Sequence, residues 1–136
     1  MKELLNTLQG HRVTKTRKEI LELFYFGEPL SAADLIKKLA LKKLFPNKTT
    51  VYRELDFLLE QGIIQAVDFG DGVKRFESSL IPHHHHLICT NCRSVSDIII
   101  KNNLCQEEKR IARLTNFQAV SHSLEFFGLC RNCQKI

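Results

Sequence analysis

The chain has 136 residues, enough for one domain of ordinary size or two very small ones. Its composition, 43% hydrophobic and 26% charged, is that of a globular protein and excludes a disordered tail. No apolar run approaches the roughly 20 residues that span a bilayer, and the first residues contain no apolar signal core. We therefore expect a cytoplasmic protein with no membrane partner. Because the cytoplasm is reducing, the five cysteines are interpreted as metal-binding or redox thiols rather than as disulfides.

The net charge of +5 is unevenly distributed. Residues 1–53 carry 11 basic and 5 acidic side chains, residues 54–82 carry 2 and 6, and residues 83–136 carry 7 and 4. A basic excess at the N-terminal end is typical of a surface that contacts nucleic-acid phosphates, although a solvated helix face gives the same pattern. All histidines but one, and every cysteine, follow residue 82. This asymmetry predicts two domains, 1–82 and 83–136.

The first domain is predicted to contain four helices and a β-hairpin. Apolar residues recur at helical spacing, and glycine or proline ends each repeat, over residues 3–9, 15–26, 32–45 and 48–61. The capping residues are Thr14 or Thr16, then Ser31, then Asn47 or Thr49. After Gly62 the apolar period becomes two, and the turn Gly70-Asp71-Gly72 reverses the chain into residues 73–77, which predicts the hairpin.

Helices followed by a hairpin are the layout of a winged helix, in which the helix before the hairpin enters the major groove of DNA. The candidate contact residues at the start of that helix are Lys48, Thr49, Thr50, Tyr52 and Arg53. Their side chains suit contacts with phosphates, guanine and the thymine methyl group. The alternative is a helical bundle with a solvated basic face.

The second domain is predicted to be strand, strand, helix and strand, over residues 87–88, 95–100, 104–114 and 117–129. At 54 residues it is too small to be stable through core burial alone, so we expect a metal, a partner subunit or both. The predicted fold class of the whole chain is α+β, with an N-terminal winged helix and a small C-terminal α/β domain.

Two Cys-x-x-Cys pairs give the strongest chemical signal. Cys89 and Cys92 form one pair, Cys130 and Cys133 the other, and 37 residues separate them. Two such pairs complete a closed tetrahedral Zn²⁺ site of the structural type, with a redox dithiol as the alternative. Cys105 is left over, and on a helix it is either a small core residue or a ligand or redox group.

Four consecutive histidines, His83 to His86, precede the first cysteine pair. On a strand, alternate side chains lie on opposite faces, so His84 and His86 share one face and His83 and His85 share the other. Each pair can begin a separate metal site. Further candidate ligands are Glu77, Asp97 and His122.

Several short motifs occur in a specific order along the chain. They are Gly10-x-Arg12-x-Thr14-x-x-Arg17, Ser31-Ala32-x-Asp34-Leu35, Thr50-Val51-Tyr52-Arg53-x-Leu55, Gly62-Ile63-Ile64, Arg75-Phe76-Glu77, His83 to Cys92, and His122-Ser123-Leu124 to Cys133. Together they resemble the ferric uptake regulator family, which includes iron, zinc and peroxide sensors, and the match covers nearly the whole chain.

The resemblance implies a DNA-binding protein. A basic residue at the position of Arg12 reaches a minor groove, a tyrosine at the position of Tyr52 contacts thymine, and Arg17 joins the DNA-binding set. The implied protein is a homodimer, held by its C-terminal domain, that binds an AT-rich inverted-repeat operator and represses metal-uptake genes. Its four motif cysteines hold structural zinc.

The resemblance also implies two exchangeable metal sites. The regulatory site near the hinge matches Glu77, His84, His86 and Asp97. The second matches His83, His85 and His122 with a helix carboxylate, whose place falls here at Cys105, close to Glu107 and Glu108. Two nitrogen and two oxygen ligands, or three histidines and a cysteine, favour Zn²⁺ over Fe²⁺ as the regulatory ion.

Three positions depart from the family pattern. The hinge histidine is replaced by Pro29-Leu30, Glu77 stands where peroxide sensors have aspartate, and Arg93 stands where a glycine usually follows the first cysteine pair. The alternatives to a metal-responsive repressor are a peroxide-responsive repressor and a metal-buffering protein or metalloenzyme. An enzyme needs an open coordination position with a placed acid or base.

Overall fold

The computed structural model describes residues 2–25, 27–101 and 104–135. They form two compact units that divide between Pro82 and His83. In chain order, the elements are α1 (Lys2–Asn6), α2 (Lys15–Tyr25), β1 (Leu30–Ser31), α3 (Ala32–Leu41), α4 (Lys48–Glu60), β2 (Ile64–Asp68), β3 (Lys74–Ser78), β4 (His85–Cys89), β5 (Val95–Ile98), α5 (Cys105–Thr115) and β6 (Glu125–Gly128). Over these ranges, none of the helices has the length and apolar character needed to cross a membrane.

Side-chain caps fix where three helices of the first unit begin. Thr14 and Asn47 each accept a hydrogen bond from the backbone amide three residues ahead, at 3.1 and 2.8 Å. Ser31 and Asp34 form a capping box before α3, in which each side chain accepts from the other residue's amide. Each cap pairs an amide that the helix leaves free and contributes about 1 kcal/mol. The earlier of the two candidate caps is therefore the one used before α2 and before α4.

Helix α3 ends at Leu41, several residues before the predicted end near Pro46. Lys43 has a φ of 60°, in the left-handed region, and its amide donates to the carbonyl of Ala40 at 3.0 Å. The amide of Leu44 donates to the carbonyl of Leu39 at 2.9 Å. These two hydrogen bonds form a C-terminal cap that ends the helix, and residues 42–47 connect it to α4.

Apolar side chains of α2, α3 and α4 form the core of the first unit. Each helix contributes residues at i, i+3, i+4 or i+7 spacing, as its sequence pattern predicts. The fully buried members are Ile20, Leu21, Phe24, Leu35, Leu39, Val51, Leu55 and Leu58. Because one face of α4 packs into this core, the opposite face of the helix is exposed to solvent.

The sheet of the first unit has the strand order β1-β3-β2, and all its pairings are antiparallel. Strands β2 and β3 form the predicted hairpin, whose turn contains Gly70 and Gly72 with φ values of 75° and 77°. These backbone conformations favour glycine. The two-residue strand β1 pairs Leu30 with Phe76 and is not predicted by the sequence. Helices followed by this three-stranded sheet form the predicted winged helix.

The sheet of the second unit has the strand order β5-β4-β6, with β4 antiparallel to β5 and parallel to β6. Its last strand covers only Glu125–Gly128 of the predicted 117–129, because the apolar residues before it pair with no neighbouring strand among the described residues. Helix α5 has no buried residue. Apolar side chains exposed in this unit include Ile99, Leu114, Phe117, Val120, Phe126 and Phe127.

Candidate metal centres and nucleic-acid interface

The four motif cysteines converge at one end of the second unit. Their sulfur atoms all lie within 4.8 Å of one another, and the sulfur atoms of Cys92 and Cys130 are 3.8 Å apart. A tetrahedral zinc ion with Zn–S bonds of about 2.3 Å requires sulfur atoms about 3.8 Å apart. The four cysteines therefore fit a closed Zn²⁺ site in both ligand type and spacing.

Backbone and side-chain donors surround these thiols. The amide of Cys130 donates to Sγ of Cys89 at 3.4 Å, and this and neighbouring amides lower the pKa of Cys89 to about 6. Nδ2 of Asn91 donates to Sγ of Cys133 at 3.3 Å, which lowers the pKa of that thiol, but the hydrogen bond with Cys130, burial and the remaining thiols outweigh this and raise it to about 11. The backbone amides therefore favour the thiolate, the form that binds metal, at Cys89.

Arg93, the residue after the first cysteine pair, adopts a backbone conformation that favours glycine. Arg93 has a φ of 64°, and its amide donates to the carbonyl of Cys89 at 3.0 Å. The left-handed conformation costs a residue with a Cβ atom about 1 kcal/mol or more, but costs glycine nothing. Arg93 adopts this conformation in the turn that carries Cys89 and Cys92.

The histidine run alternates as predicted, and one of its faces forms a compact group with His122. Nε2 of His83 lies 3.3 Å from Nε2 of His85 and 3.2 Å from Nε2 of His122. Three nitrogen ligands at about 2.05 Å in tetrahedral geometry stand about 3.35 Å apart. Burial and the neighbouring imidazoles lower the pKa of His83, which favours the neutral ring that binds metal.

Two acceptors orient the rings of this group. Nδ1 of His85 donates to the carbonyl of Leu124 at 3.0 Å, and Nδ1 of His122 lies 2.7 Å from Oε1 of Glu108. With Nδ1 held in this way, the Nε2 atoms point toward one another. Carboxylates and carbonyls orient metal-binding histidines in this manner.

Cys105, predicted to complete this group, is not among the residues that the described part of the chain gathers with His83, His85 and His122. It is the first residue of α5 and is exposed, and the described residues bring Glu108, one turn further along, to His122 instead. The physical reason is the helical repeat, because a residue three positions away lies on the same face. Glu107, the other nearby carboxylate, pairs with Arg110 at 3.5 Å on the surface.

The other face of the histidine run brings His84 and His86 together, with ring centroids 4.9 Å apart. Asp97 lies opposite His86 on β5, with Oδ1 3.7 Å from Nε2 of His86 and 4.0 Å from Nε2 of His84. Glu77 lies on β3 of the first unit, where it is buried and accepts from Nε2 of Gln65 at 2.9 Å.

The start of α4 carries the predicted nucleic-acid contacts. Lys48, Thr49, Tyr52 and Arg53 are exposed in the first turns of the helix. The hydroxyl of Thr50 donates to Oδ1 of Asn47 at 2.8 Å, so it supports the cap. Arg12 is exposed in the segment that precedes α2.

Arg17 differs from the other predicted DNA contacts. Its side chain is only 14% exposed, and Nε donates to Oε2 of Glu54 at 2.7 Å. The structure therefore places this guanidinium in a partly buried position, paired with a carboxylate of α4. Glu54, which the sequence analysis did not single out, has no local signal that identifies it, because its partner is 37 residues away.

Comparisons with known proteins match almost the whole chain. The sequence profile of the Ferric uptake regulator family matches residues 8–127. The chain belongs to the ferric uptake regulator family. The peroxide operon regulator of Bacillus subtilis (strain 168) is 36% identical to it over 139 residues, which cover 99% of this chain and 94% of the relative.

Solved structures of this family share the fold. The Vibrio cholerae ferric uptake regulator superposes with a TM-score of 0.75 and 34% identity, covering 95% of this chain and 98% of that chain. A zinc uptake regulator complexed with zinc and DNA gives a TM-score of 0.70 and 26% identity, covering 98% of this chain and 91% of that chain. These likenesses confirm the α+β fold with a winged helix and a small C-terminal dimerisation domain. The protein is a metal-dependent transcriptional regulator of a family that binds DNA as dimers, and not an enzyme.

Proposed function

We propose that this family member is a dimeric repressor of metal-uptake genes, and that it binds an AT-rich inverted-repeat operator when its regulatory site holds Zn²⁺ or Fe²⁺, with Zn²⁺ favoured. The proposal rests on the presence, in one chain, of an exposed basic helix face and of clustered side chains that can bind metal. Helix α4 presents exposed basic and aromatic side chains, and the second unit contains two groups of side chains that could hold a metal ion, together with Asp97 at 3.7 Å from His86. Its place of action is the cytoplasm, where its DNA lies and its thiols stay reduced.

The structural ion of this proposal is Zn²⁺ bound by Cys89, Cys92, Cys130 and Cys133. The 3.8 Å separation of two of the sulfur atoms supports this assignment. The regulatory ligands are His84, His86 and Asp97, with Glu77 as the fourth ligand on the evidence of the sequence resemblance. The second exchangeable site is His83, His85 and His122, with Glu108 replacing Cys105 as the supporting group.

Zn²⁺ is favoured because the ligands are few and mixed. Tetrahedral zinc takes four nitrogen, oxygen or sulfur ligands, whereas ferrous iron is usually held by more. The nitrogen spacings of 3.2 and 3.3 Å in the second site match tetrahedral geometry as well. Because DNA binds one conformation of the dimer better than others, metal and DNA strengthen each other's binding by the same factor.

The metal preference is tested by retention of fragmented genomic DNA on the purified protein under anaerobic conditions, with buffered free Zn²⁺ and Fe²⁺ titrated separately. We expect an inverted-repeat fragment to be retained at low free zinc, with iron inactive. The opposite order of metals identifies an iron regulator. Retention that does not depend on any metal overturns the proposal.

The regulatory ligands are tested by His86→Ala. This substitution is expected to abolish the metal-induced gain in DNA affinity while the dimer and the tetracysteine zinc remain. Gln106→Ala is the control, because Gln106 is exposed on α5 of the same unit and lies outside the metal-binding groups. The readout is the ratio of DNA affinities with and without metal, and an unchanged ratio in His86→Ala removes His86 from the site.

A peroxide-responsive repressor is the second candidate, favoured by the 36% identity to a peroxide operon regulator. Glu77 opposes it, because the peroxide sensors that the chain resembles have aspartate at that position. Brief peroxide treatment of the Fe²⁺-loaded protein distinguishes the two. A peroxide sensor gains one oxygen atom on a ligand histidine and loses DNA binding, and a metal sensor shows neither change.

A further inference from the structure

One guanidinium joins the two segments that are proposed to contact the operator. Arg17, in the first turn of α2, donates from Nε and Nη2 to both carboxylate oxygens of Glu54 on α4, at 2.7 and 3.2 Å. From Nη1 it donates to the backbone carbonyl of Arg12 at 2.8 Å. The same side chain therefore holds the segment that carries Arg12 and the helix that carries Tyr52.

Aromatic contacts reinforce this arrangement. The guanidinium carbon of Arg17 lies 3.9 Å from the centre of the Phe57 ring, one turn after Glu54 on α4. The ring of His11, next to Arg12, meets Phe57 edge-on with centroids 5.0 Å apart. Residues 11–13 belong to no helix or strand, so these contacts are what fixes their position relative to α4.

We propose that Arg17 is a positioning residue for DNA recognition: it fixes Arg12 against α4, so that the minor-groove and major-groove contacts are made together. The inference rests on the proposed function, in which Arg12 and Tyr52 contact DNA. A planar guanidinium donates in three directions at once, which the single ammonium group of lysine does not reproduce. Fixing a contact residue before binding removes the loss of conformational entropy that binding otherwise carries.

The alternative role for Arg17 is direct contact with phosphate, and the two roles predict opposite effects at Glu54. If Arg17 contacts phosphate and Glu54 only reduces its charge, removing the Glu54 carboxylate strengthens DNA binding. If Arg17 positions Arg12, removing the same carboxylate releases the guanidinium and weakens DNA binding. The sign of the change therefore separates the two roles.

The experiment uses the full-length, metal-loaded protein and the duplex that it selects from a random-sequence DNA library. Affinity is measured for Arg12→Ala, Arg17→Met, Glu54→Met and the double variant Arg12→Ala/Arg17→Met. Each single substitution is expected to weaken binding about tenfold, the size of one lost specific contact. The double variant is expected to bind no more than about twofold more weakly than Arg12→Ala, because Arg17 acts through Arg12.

Two controls separate positioning from loss of folding. Lys18→Met removes an exposed cation from the same helix, and its effect is expected to multiply with that of Arg12→Ala. Arg17→Lys keeps the charge in a protein that remains folded and is expected to behave like Arg17→Met. A substitution that merely destabilises the fold lowers the folded fraction in every background, so its effect also multiplies with Arg12→Ala.

The positioning role is overturned if the double variant Arg12→Ala/Arg17→Met loses DNA affinity by about the product of the two single effects. It is also overturned if Glu54→Met binds DNA more strongly than the unmodified protein. In either case the unmodified protein still binds the duplex and Arg12→Ala still weakens it, so the proposed function stands. An unmodified protein that selects no duplex overturns both.

Discussion

Serine at Cys92 is expected to unfold the second unit while the first stays folded. A serine hydroxyl is not ionised near neutral pH and does not replace a thiolate ligand. Two of the four sulfur atoms stand 3.8 Å apart and all four lie within 4.8 Å of one another, so little rearrangement is needed to accept zinc and much of the binding free energy is available to stabilise the fold. For structural zinc in small domains that free energy is about 10–16 kcal/mol.

The zinc-binding free energy is larger than the other interactions of the second unit can replace. Among its described residues, the buried apolar side chains are only Ile88 and Cys89, and α5 contributes none. A whole domain is stabilised by about 5–15 kcal/mol in total. Loss of the zinc ion therefore removes more free energy than the total stability of the second unit. The core of the first unit contains no cysteine, so it is unaffected.

Hydrogen exchange measured by mass spectrometry, with zinc content measured on the same sample, checks the expectation. We expect Cys92→Ser to hold at least one zinc ion per chain fewer than the unmodified protein and to lose amide protection in β4, β5 and β6, while α2, α3 and α4 keep theirs. Cys105→Ser is the matched control, because it makes the same chemical change outside the group of four. If Cys92→Ser retains its zinc and its protection, or Cys105→Ser loses both, the assigned role of the tetracysteine group is wrong.

Three further expectations concern individual positions. Leu55→Ala in α4, at a site 1% exposed, is expected to destabilise the first unit by about 2–5 kcal/mol in urea denaturation, and a loss below 1 kcal/mol contradicts the core packing described above. Arg93→Gly is expected to raise the stability of the zinc-loaded second unit by about 1 kcal/mol in thermal denaturation, because glycine adopts the φ of 64° without strain; a decrease shows that the arginine side chain stabilises the turn. Hydrogen bonds from Arg75 lower the pKa of Asp71 to about 2, so this pair stabilises the folded state above pH 4 and the contribution is lost as the pH falls through about 2. Carboxyl titration by NMR should show that midpoint and its return toward 3.8 in Arg75→Ala, and an unchanged midpoint in the variant contradicts the cause.

Local chemistry let the sequence predict much of the fold. The caps at Ser31 and Asn47 act within three residues, and the turn around Gly70 acts within its own hairpin, so tertiary structure did not alter them. The alternation of the histidine run follows from the two-residue period of a strand, and the ring pairs His83–His85 and His84–His86 are arranged accordingly.

The errors of prediction have two causes, a strand pairing between distant residues and a local backbone conformation that the sequence pattern does not signal. Strand β1 exists because Leu30 pairs with Phe76, 46 positions later, and two residues give no periodic signal of their own. Helix α3 ends at Leu41 because Lys43 adopts a left-handed backbone, although the apolar and basic residues that follow are compatible with a longer helix.

The amino-acid sequence by itself determined the winged helix, the two Cys-x-x-Cys pairs, the two faces of the histidine run and the family, because each depends on short-range spacing. Tertiary structure alone decided which side chains those elements bring together. It placed Glu108 beside His122, and it paired Arg17 with Glu54 and with the carbonyl of Arg12. These choices depend on which face of a helix packs against residues 14 or 37 positions away, and no local pattern records that packing.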